Sequence, residues 1–139
     1  MTVANAKERC WFDGRAQLLE LSRYCDARGS LLPIDLTQLP FAPQRSFTVT
    51  HVPTGTQRGG HGHRQGQQLL ICLSGQIGVL LRCGSAQANV VLDARGPALR
   101  IGAGIWGQQT YLQQDSALLV LASEPYDPSS YFQNPEESK

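Results

Sequence analysis

The stretch Gly55-Thr-Gln-Arg-Gly-Gly-His61-Gly-His63-Arg-Gln-Gly-Gln-Gln68, followed by a short apolar run to Gly75, decides the architecture. Side chains two apart on a strand point to the same side, so His61 and His63 converge on one face. The flanks support strands. Upstream, Ser46–Val52 alternates, with Phe47, Val49 and His51 on one face and Thr48, Thr50 and Val52 on the other. Downstream, Gln68–Leu73 and Ile77–Leu81 enclose Ser74-Gly75 and read as a hairpin. Asn89–Leu92, Ala98–Ile101 and Ala117–Ala122 are further strands, separated by Gly and Pro. Arg15–Tyr24 carries Leu18, Leu19 and Leu21 at spacings that suit a short helix as well as a strand. The turn Asp26-Ala27-Arg28-Gly29 and the apolar Leu31–Leu36 just after it favour strand. Many short strands and no long amphipathic helix predict an all-β chain, a jelly-roll β-sandwich or barrel in a single domain.

The same stretch has the spacing G-x5-H-x-H-x4-E-x6-G, the first signature of the cupin barrels, with Gln68 where that signature has Glu. The second signature, G-x5-P-x-G-x2-H, can be laid on Gly96 through Gly107. Gly104 matches it, Gly102 replaces the Pro, and Gly107 replaces the ligand His. A mononuclear site of this kind needs three or four N/O ligands, and a neutral amide is a poor substitute for a carboxylate. His51, the one other histidine, lies on a separate strand and is the remaining candidate for a third ligand. The expectation is therefore no metal. Two imidazoles without a metal suggest proton transfer, because histidine titrates near ~6.5 and one ring can accept while its neighbour donates. A bland alternative makes one histidine a core residue and the other a surface one. The pair's setting among Arg58, Gly59, Gly60 and Arg64 in a concave fold favours the functional reading.

Arg45, Arg58, Arg64 and Arg100 punctuate otherwise weakly charged strands. Guanidinium suits an anionic ligand such as pyrophosphate, although each arginine can equally be a solvent-facing charge. Trp106 and Tyr131 are either stacking faces for a planar ligand or core aromatics. Gln67, Gln68, Gln108 and Gln109 offer neutral hydrogen-bond partners for hydroxyls. The whole chain carries 12 basic against 11 acidic side chains, so it lacks the footprint of a nucleic-acid binder.

With 139 residues, the chain has room for one compact domain, placed here at 10–132 with loose termini at 1–9 and 133–139. The longest uninterrupted apolar stretch, Ala117–Ala122, falls far below the ~20 residues a membrane helix needs. Met1 to Arg9 lacks the apolar core of a secretory signal. Cys10, Cys25, Cys72 and Cys83 have no CxxC spacing, and free thiols in a reducing cytoplasm are expected.

From about Gln17 to Tyr131 the sequence resembles the sugar nucleotide 3,4-ketoisomerases, small cupins acting on dTDP-4-keto-6-deoxyglucose. The resemblance rests on Asp26-Ala-Arg-Gly29-Ser-Leu, Leu39-Pro-Phe-Ala-Pro-Gln-Arg45, Arg58-Gly-Gly-His61-Gly-His63, Gln68-Leu-Leu-Ile-Cys-Leu-Ser-Gly75, Ile105-Trp106, Leu119–Ser123 and Tyr126-Asp127. The chain departs from the family pattern at four places. Gly62 replaces Ala in R-G-x-H-A-H, Gln44 stands where a Lys is frequent, Phe47 where Tyr is common, and Gly107 where Arg or His often follows the Trp.

The resemblance implies proton abstraction next to a ketone, with His61 as base, His63 as partner or relay, and Arg45, Arg58, Gln68, Arg100, Trp106 and Tyr131 on the substrate. It implies no cofactor and a homodimer, with Leu18–Leu21 adding to the partner's sheet. Three rivals remain at this point: a non-catalytic sugar or nucleotide binder, favoured by Phe47 and Gly107; a sugar nucleotide 3,5-epimerase; and a metal-dependent cupin dioxygenase, disfavoured by Gln68 and Gly107.

Overall fold

The computed structural model describes residues 9–139. Strands make up almost all of its regular structure. They are β1 (Cys10–Trp11), β2 (Ala16–Leu19), β3 (Tyr24–Asp26), β4 (Gly29–Leu31), β5 (Arg45–Val49), β6 (Gln57–His63), β7 (Gln68–Ser74), β8 (Gln76–Cys83), β9 (Ala86–Asp93), β10 (Ala98–Ile101), β11 (Trp106–Tyr111), β12 (Ala117–Ala122) and β13 (Tyr131–Phe132). One sheet has the order β1-β2-β10-β7-β12-β5 and the other β13-β6-β11-β8-β9, while among the described residues β3 and β4 pair only with each other.

The two large sheets face each other across the main core. Leu70, Cys72, Leu99, Leu118 and Val120 come from the first, and Ile77, Val79, Leu81, Val90, Leu92 and Tyr111 from the second. Burying each such aliphatic side chain contributes about 1.5–3 kcal/mol. A smaller cluster, Leu69, Ile71, Ala98 and Leu121, lies on the other side of the first sheet under Leu19, Leu21, Ile34 and Phe41. Strand β7 is therefore buried on both faces, which is why it reads as an unbroken apolar run rather than as an alternation.

Several expectations change. Ser74-Gly75 is not a hairpin, since β7 pairs with β10 and β12 while β8 pairs with β11 and β9. Gly75 (φ +73) carries the chain from one sheet to the other, and a Cβ there would lie 2.7 Å from Ser116 Cα. Ser116 Oγ fixes this corner by accepting from the Gln76 amide at 3.1 Å and donating to the Gln113 carbonyl at 2.8 Å. The hairpin is one connection later, between β8 and β9 across Gly84 and Ser85. Two apolar runs flanking a Gly look alike whether the chain reverses within a sheet or crosses between sheets.

Leu31–Leu36 is not one strand. β4 stops at Leu31, Pro33 follows, and Asp35 caps a short 3-10 turn, Leu36–Gln38, by accepting from the Thr37 amide at 3.0 Å. Leu18 and Leu19 pair with Leu99 and Ala98 of the same chain along one edge of β2, while β1 on the other edge pairs with Ala16 and Gln17. His51 lies beyond the end of β5, exposed and with φ +61, and does not share the strand face of Phe47 and Val49.

The segment 133–139 is not loose. Ser138 is 3% exposed and the Gly84 amide donates to its carbonyl at 3.1 Å. The Lys139 amide donates to the Gly104 carbonyl at 3.1 Å, and Arg15 donates to the Lys139 carbonyl. Of the expected loose segment 1–9, all but Arg9 lies outside the described residues, and the Arg9 carbonyl accepts from the Leu18 amide at 2.7 Å.

Candidate active site

Strand β6 delivers the histidines, and its glycines set their aim. Gly59 and Gly60 both have positive φ (+83 and +76), and the register against β11 shifts between Gly107 and Gln108. This is a bulge, whose extra residue re-aims the side chains beyond it. A Cβ at Gly59 would lie 3.2 Å from the Gly107 carbonyl oxygen, so a glycine is what lets the two strands close. Past the bulge, His61 and His63 share one face, and Gly62 turns to the other, against Phe132 and the Ile105 carbonyl.

The imidazole centroids are 5.4 Å apart with the planes at 73°. Tyr131, opposite His63 in the β13–β6 register, stacks on His61 at 4.7 Å and 11°. The same ring meets His63 edge-on at 4.4 Å. An open cavity of about 280 Å³ lies beside them, lined by Arg45, His63, Gln68, Glu124, Asp127 and Tyr131. Behind it, a pocket of about 30 Å³ is bounded by His61, His63, Gln68, Gly107 and Gln109. Arg45 is held at the cavity with its guanidinium 4.6 Å from the Phe47 ring and 4.9 Å from the Tyr126 ring.

Burial holds the pKa of both histidines down. For His61, desolvation dominates over a hydrogen bond to the Gly59 backbone, which favours the charged form. For His63, desolvation, then repulsion from His61 and from Arg45, brings the pKa to about 4. Both rings are thus neutral at pH 7, the state a general base requires. His63 Nε2 is buried without a hydrogen-bond partner among the described residues, so the second ring keeps an uncommitted nitrogen.

The expected residues separate into two groups. His61, His63, Arg45, Gln68 and Tyr131 come together around the two adjoining cavities. Arg100 is committed elsewhere, donating to Gln67 at 3.1 Å, to Gln17 at 2.9 Å and to the Gly14 carbonyl. Trp106 is buried and its indole N–H donates to the Gln133 carbonyl at 2.9 Å, so it anchors the C-terminal segment. Arg58 is exposed on β6 opposite Gln109 and lines neither cavity. Sequence reasoning centred on cations passes over Glu124 and Asp127, which bring carboxylates to the cavity wall. Their signal is the Pro-punctuated segment after the apolar strand β12. Asp127 is partly structural, accepting from the Ser129 amide at 3.0 Å as the cap of Pro128–Ser130.

The donor set does not fit the metal that cupin barrels often hold. Gln68 and Gln109 supply amides, Gly107 supplies nothing, and His51 is remote in an exposed loop with Nδ1 at 3.0 Å from Thr50 Oγ1. Among the described residues no three His, Cys, Asp or Glu side chains gather. What remains is a half-buried, neutral imidazole pair, an aromatic wall and one cation at the mouth, an arrangement suited to moving a proton on a polar ligand.

The family profile described as "FdtA: WxcM-like, C-terminal" matches residues 14–139. The chain belongs to this family. A curated relative, the TDP-4-oxo-6-deoxy-alpha-D-glucose-3,4-oxoisomerase of Aneurinibacillus thermoaerophilus, is 28% identical over 124 residues, covering 88% of this chain and 89% of that one. A histidine-to-asparagine variant of the 3,4-ketoisomerase QdtA from Thermoanaerobacterium thermosaccharolyticum, solved in complex with TDP-4-keto-6-deoxyglucose, has TM-score 0.81 and 30% identity over 86% of this chain and 88% of that one. The TDP-quinovose 3,4-ketoisomerase WlaRB from Campylobacter jejuni has TM-score 0.79 and 30% identity over 88% of this chain and 95% of that one. These solved relatives place the two-sheet sandwich of the FdtA family chain among the cupin-like ketoisomerases.

Proposed function

We propose that this chain is a sugar nucleotide 3,4-ketoisomerase acting on a dTDP-linked 4-keto-6-deoxy sugar. The observation that carries the reading is the pair of half-buried, neutral imidazoles, His63 on the wall of the larger cavity and His61 on the small pocket that adjoins it, in a chain of this family. The 4-ketone acidifies the adjacent C3–H. His61 removes that proton, and the electron pair moves into an enediolate whose O4 gains a proton. Loss of the O3 proton and return of a proton to C4 leave the ketone at C3. The two sugar carbons exchange oxidation levels with no external oxidant, so the chemistry calls for positioned acid–base groups and charge stabilisation alone. His63 is the partner that relays protons, Arg45 supplies positive charge to the substrate, and Gln68 donates to its oxygens.

Incubation with dTDP-4-keto-6-deoxyglucose in D2O, followed by NMR, is expected to give the 3-keto product with deuterium at C4, and equally so after treatment with chelator. Exchange at C5 instead would make the chain a 3,5-epimerase. Binding without exchange would make it a sugar nucleotide binder, the reading that Phe47 and Gly107 favour. Activity lost with a stoichiometric metal would overturn the metal-free mechanism.

The protein is further proposed to be a homodimer. Support comes from the β3–β4 arm, where Tyr24 and Leu31 are 59% and 62% exposed, beside a groove lined by Leu19, Leu21, Pro33, Ile34 and Leu39. Apolar surface of this kind is uncommon on a monomer. Light scattering at micromolar concentration should give twice the chain mass, and the mass of a single chain would refute the dimer. A cytoplasmic location accords with four unpaired cysteines and is proposed on that ground. Among the described residues no helix is long and apolar enough to cross a membrane.

A further inference from the structure

The residues after Pro128 do more than close the sheet. β13 is only Tyr131 and Phe132, and so short a strand holds its place through what surrounds it. The Arg64 amide donates to the Ser130 carbonyl at 2.7 Å on one side of it. On the other, the Trp106 indole donates to the Gln133 carbonyl at 2.9 Å, and Arg64 pairs with Glu137 at 2.9 Å. The end of the chain then reaches the histidine strand itself: the Lys139 amide donates to the Gly104 carbonyl, and the Gly104 amide donates to the His63 carbonyl at 2.8 Å. Phe132 is buried in the space that Gly62 leaves open between the two histidines. Both faces of the histidine strand are therefore in contact with the C-terminal segment, Tyr131 on the imidazole side and Phe132 on the other.

We propose that residues 131–139 form a strap that fixes the imidazole pair for reaction, with the ring of Tyr131 as its positioning residue. By sequence alone the tyrosine is a candidate stacking surface for the ligand. Its ring is instead within 5 Å of both imidazoles, parallel to one and edge-on to the other, so its flat face limits rotation of His61 and keeps water from it. The ring does this, and the hydroxyl is dispensable. The charged and titratable groups around the pair are Arg45 from β5, Tyr131 from β13, and Glu124, Tyr126 and Asp127 from the loop after β12, while β7 and β11 present only Gln68, Gly107 and Gln109. Burial is what holds the His61 titration down, so exposing the ring to water moves it up, toward ~6.5.

This inference rests on the proposed base role of His61, and its test has one arm that does not. Tyr131→Phe and Tyr131→Leu are compared with wild type. The phenylalanine variant should keep kcat within a few-fold. The leucine variant should lose about 10²-fold in kcat, the cost of a misplaced reacting group, with KM little changed, and the acid limb of its kcat/KM profile should move to higher pH. A rise in KM alone would return Tyr131 to substrate contact. Equal losses in both variants would assign the hydroxyl as a proton donor, and wild-type kinetics in both would leave the strap purely structural. Each of these three results overturns the proposal. Independently of turnover, NMR titration of His61 should show its pKa rising in Tyr131→Leu and not in Tyr131→Phe. An unmoved pKa refutes the strap even if the sugar chemistry proves to be another.

Discussion

His61→Asn is expected to bind the sugar nucleotide as wild type does and to turn it over roughly 10²–10⁴-fold more slowly, the usual cost of losing a positioned general base. Asparagine keeps polarity and approximate shape against Tyr131 but cannot take a proton from carbon. His63→Asn should also be damaging, but with a different signature. The pKa of His63 is held at about 4, so it is a weak base and acts better as a relay. In D2O, the His63 variant should still wash deuterium into C3 of the substrate while forming little product, whereas the His61 variant should do neither. The acid limb of the wild-type profile should fall below ~6.5, because burial depresses the His61 pKa and a base works only when deprotonated. Isothermal titration with dTDP separates binding from turnover in each variant. Equal turnover in wild type and His61→Asn would remove the mechanism and leave a binding module as the leading reading.

How much of the molecule is legible in its sequence depends on the range of the forces involved. The all-β class and the shared face of His61 and His63 follow from the period of two along a strand, a local property. The grouping of Arg45, Gln68 and Tyr131 with the histidines comes from resemblance, since their separation along the chain carries no distance information. Arg100 departs from its expected place for an instructive reason. A guanidinium on an apolar strand looks like an anion site, yet here it satisfies Gln67, Gln17 and the Gly14 carbonyl where three segments meet. Trp106 departs in the same way: its indole N–H has to find an acceptor, and the acceptor is a terminal segment that composition marks as loose. The sheet crossing at Gly75 is hidden because its cause, Ser116, lies far along the chain.

Gly62→Ala is expected to cost about 2–3 kcal/mol, the upper part of the ~1–3 kcal/mol range for overpacking a filled site, and to lower Tm by roughly 5–12 °C in a domain of this size. The family pattern carries alanine at this position, so the substitution looks harmless by resemblance. The structure makes it severe. A Cβ on Gly62 would fall 2.5 Å from the Ile105 carbonyl oxygen and 2.6 Å from Phe132 Cε1. Gly62 sits opposite Trp106 on one side and Phe132 on the other, so the added methyl wedges between β11 and β13. The β11 side cannot yield cheaply, because Trp106 is buried and bonded to the Gln133 carbonyl. The short strand β13 gives way instead and carries Tyr131 off His61. Stability and kcat should therefore fall together. Adding Phe132→Leu should restore only part of each, since it removes the ring but leaves the Ile105 carbonyl in place. Thermal unfolding and steady-state kinetics on the single and double variants read this directly. A Gly62→Ala protein with wild-type Tm would show that β13 is not wedged where the structure puts it, and that Phe132 does not dictate the glycine.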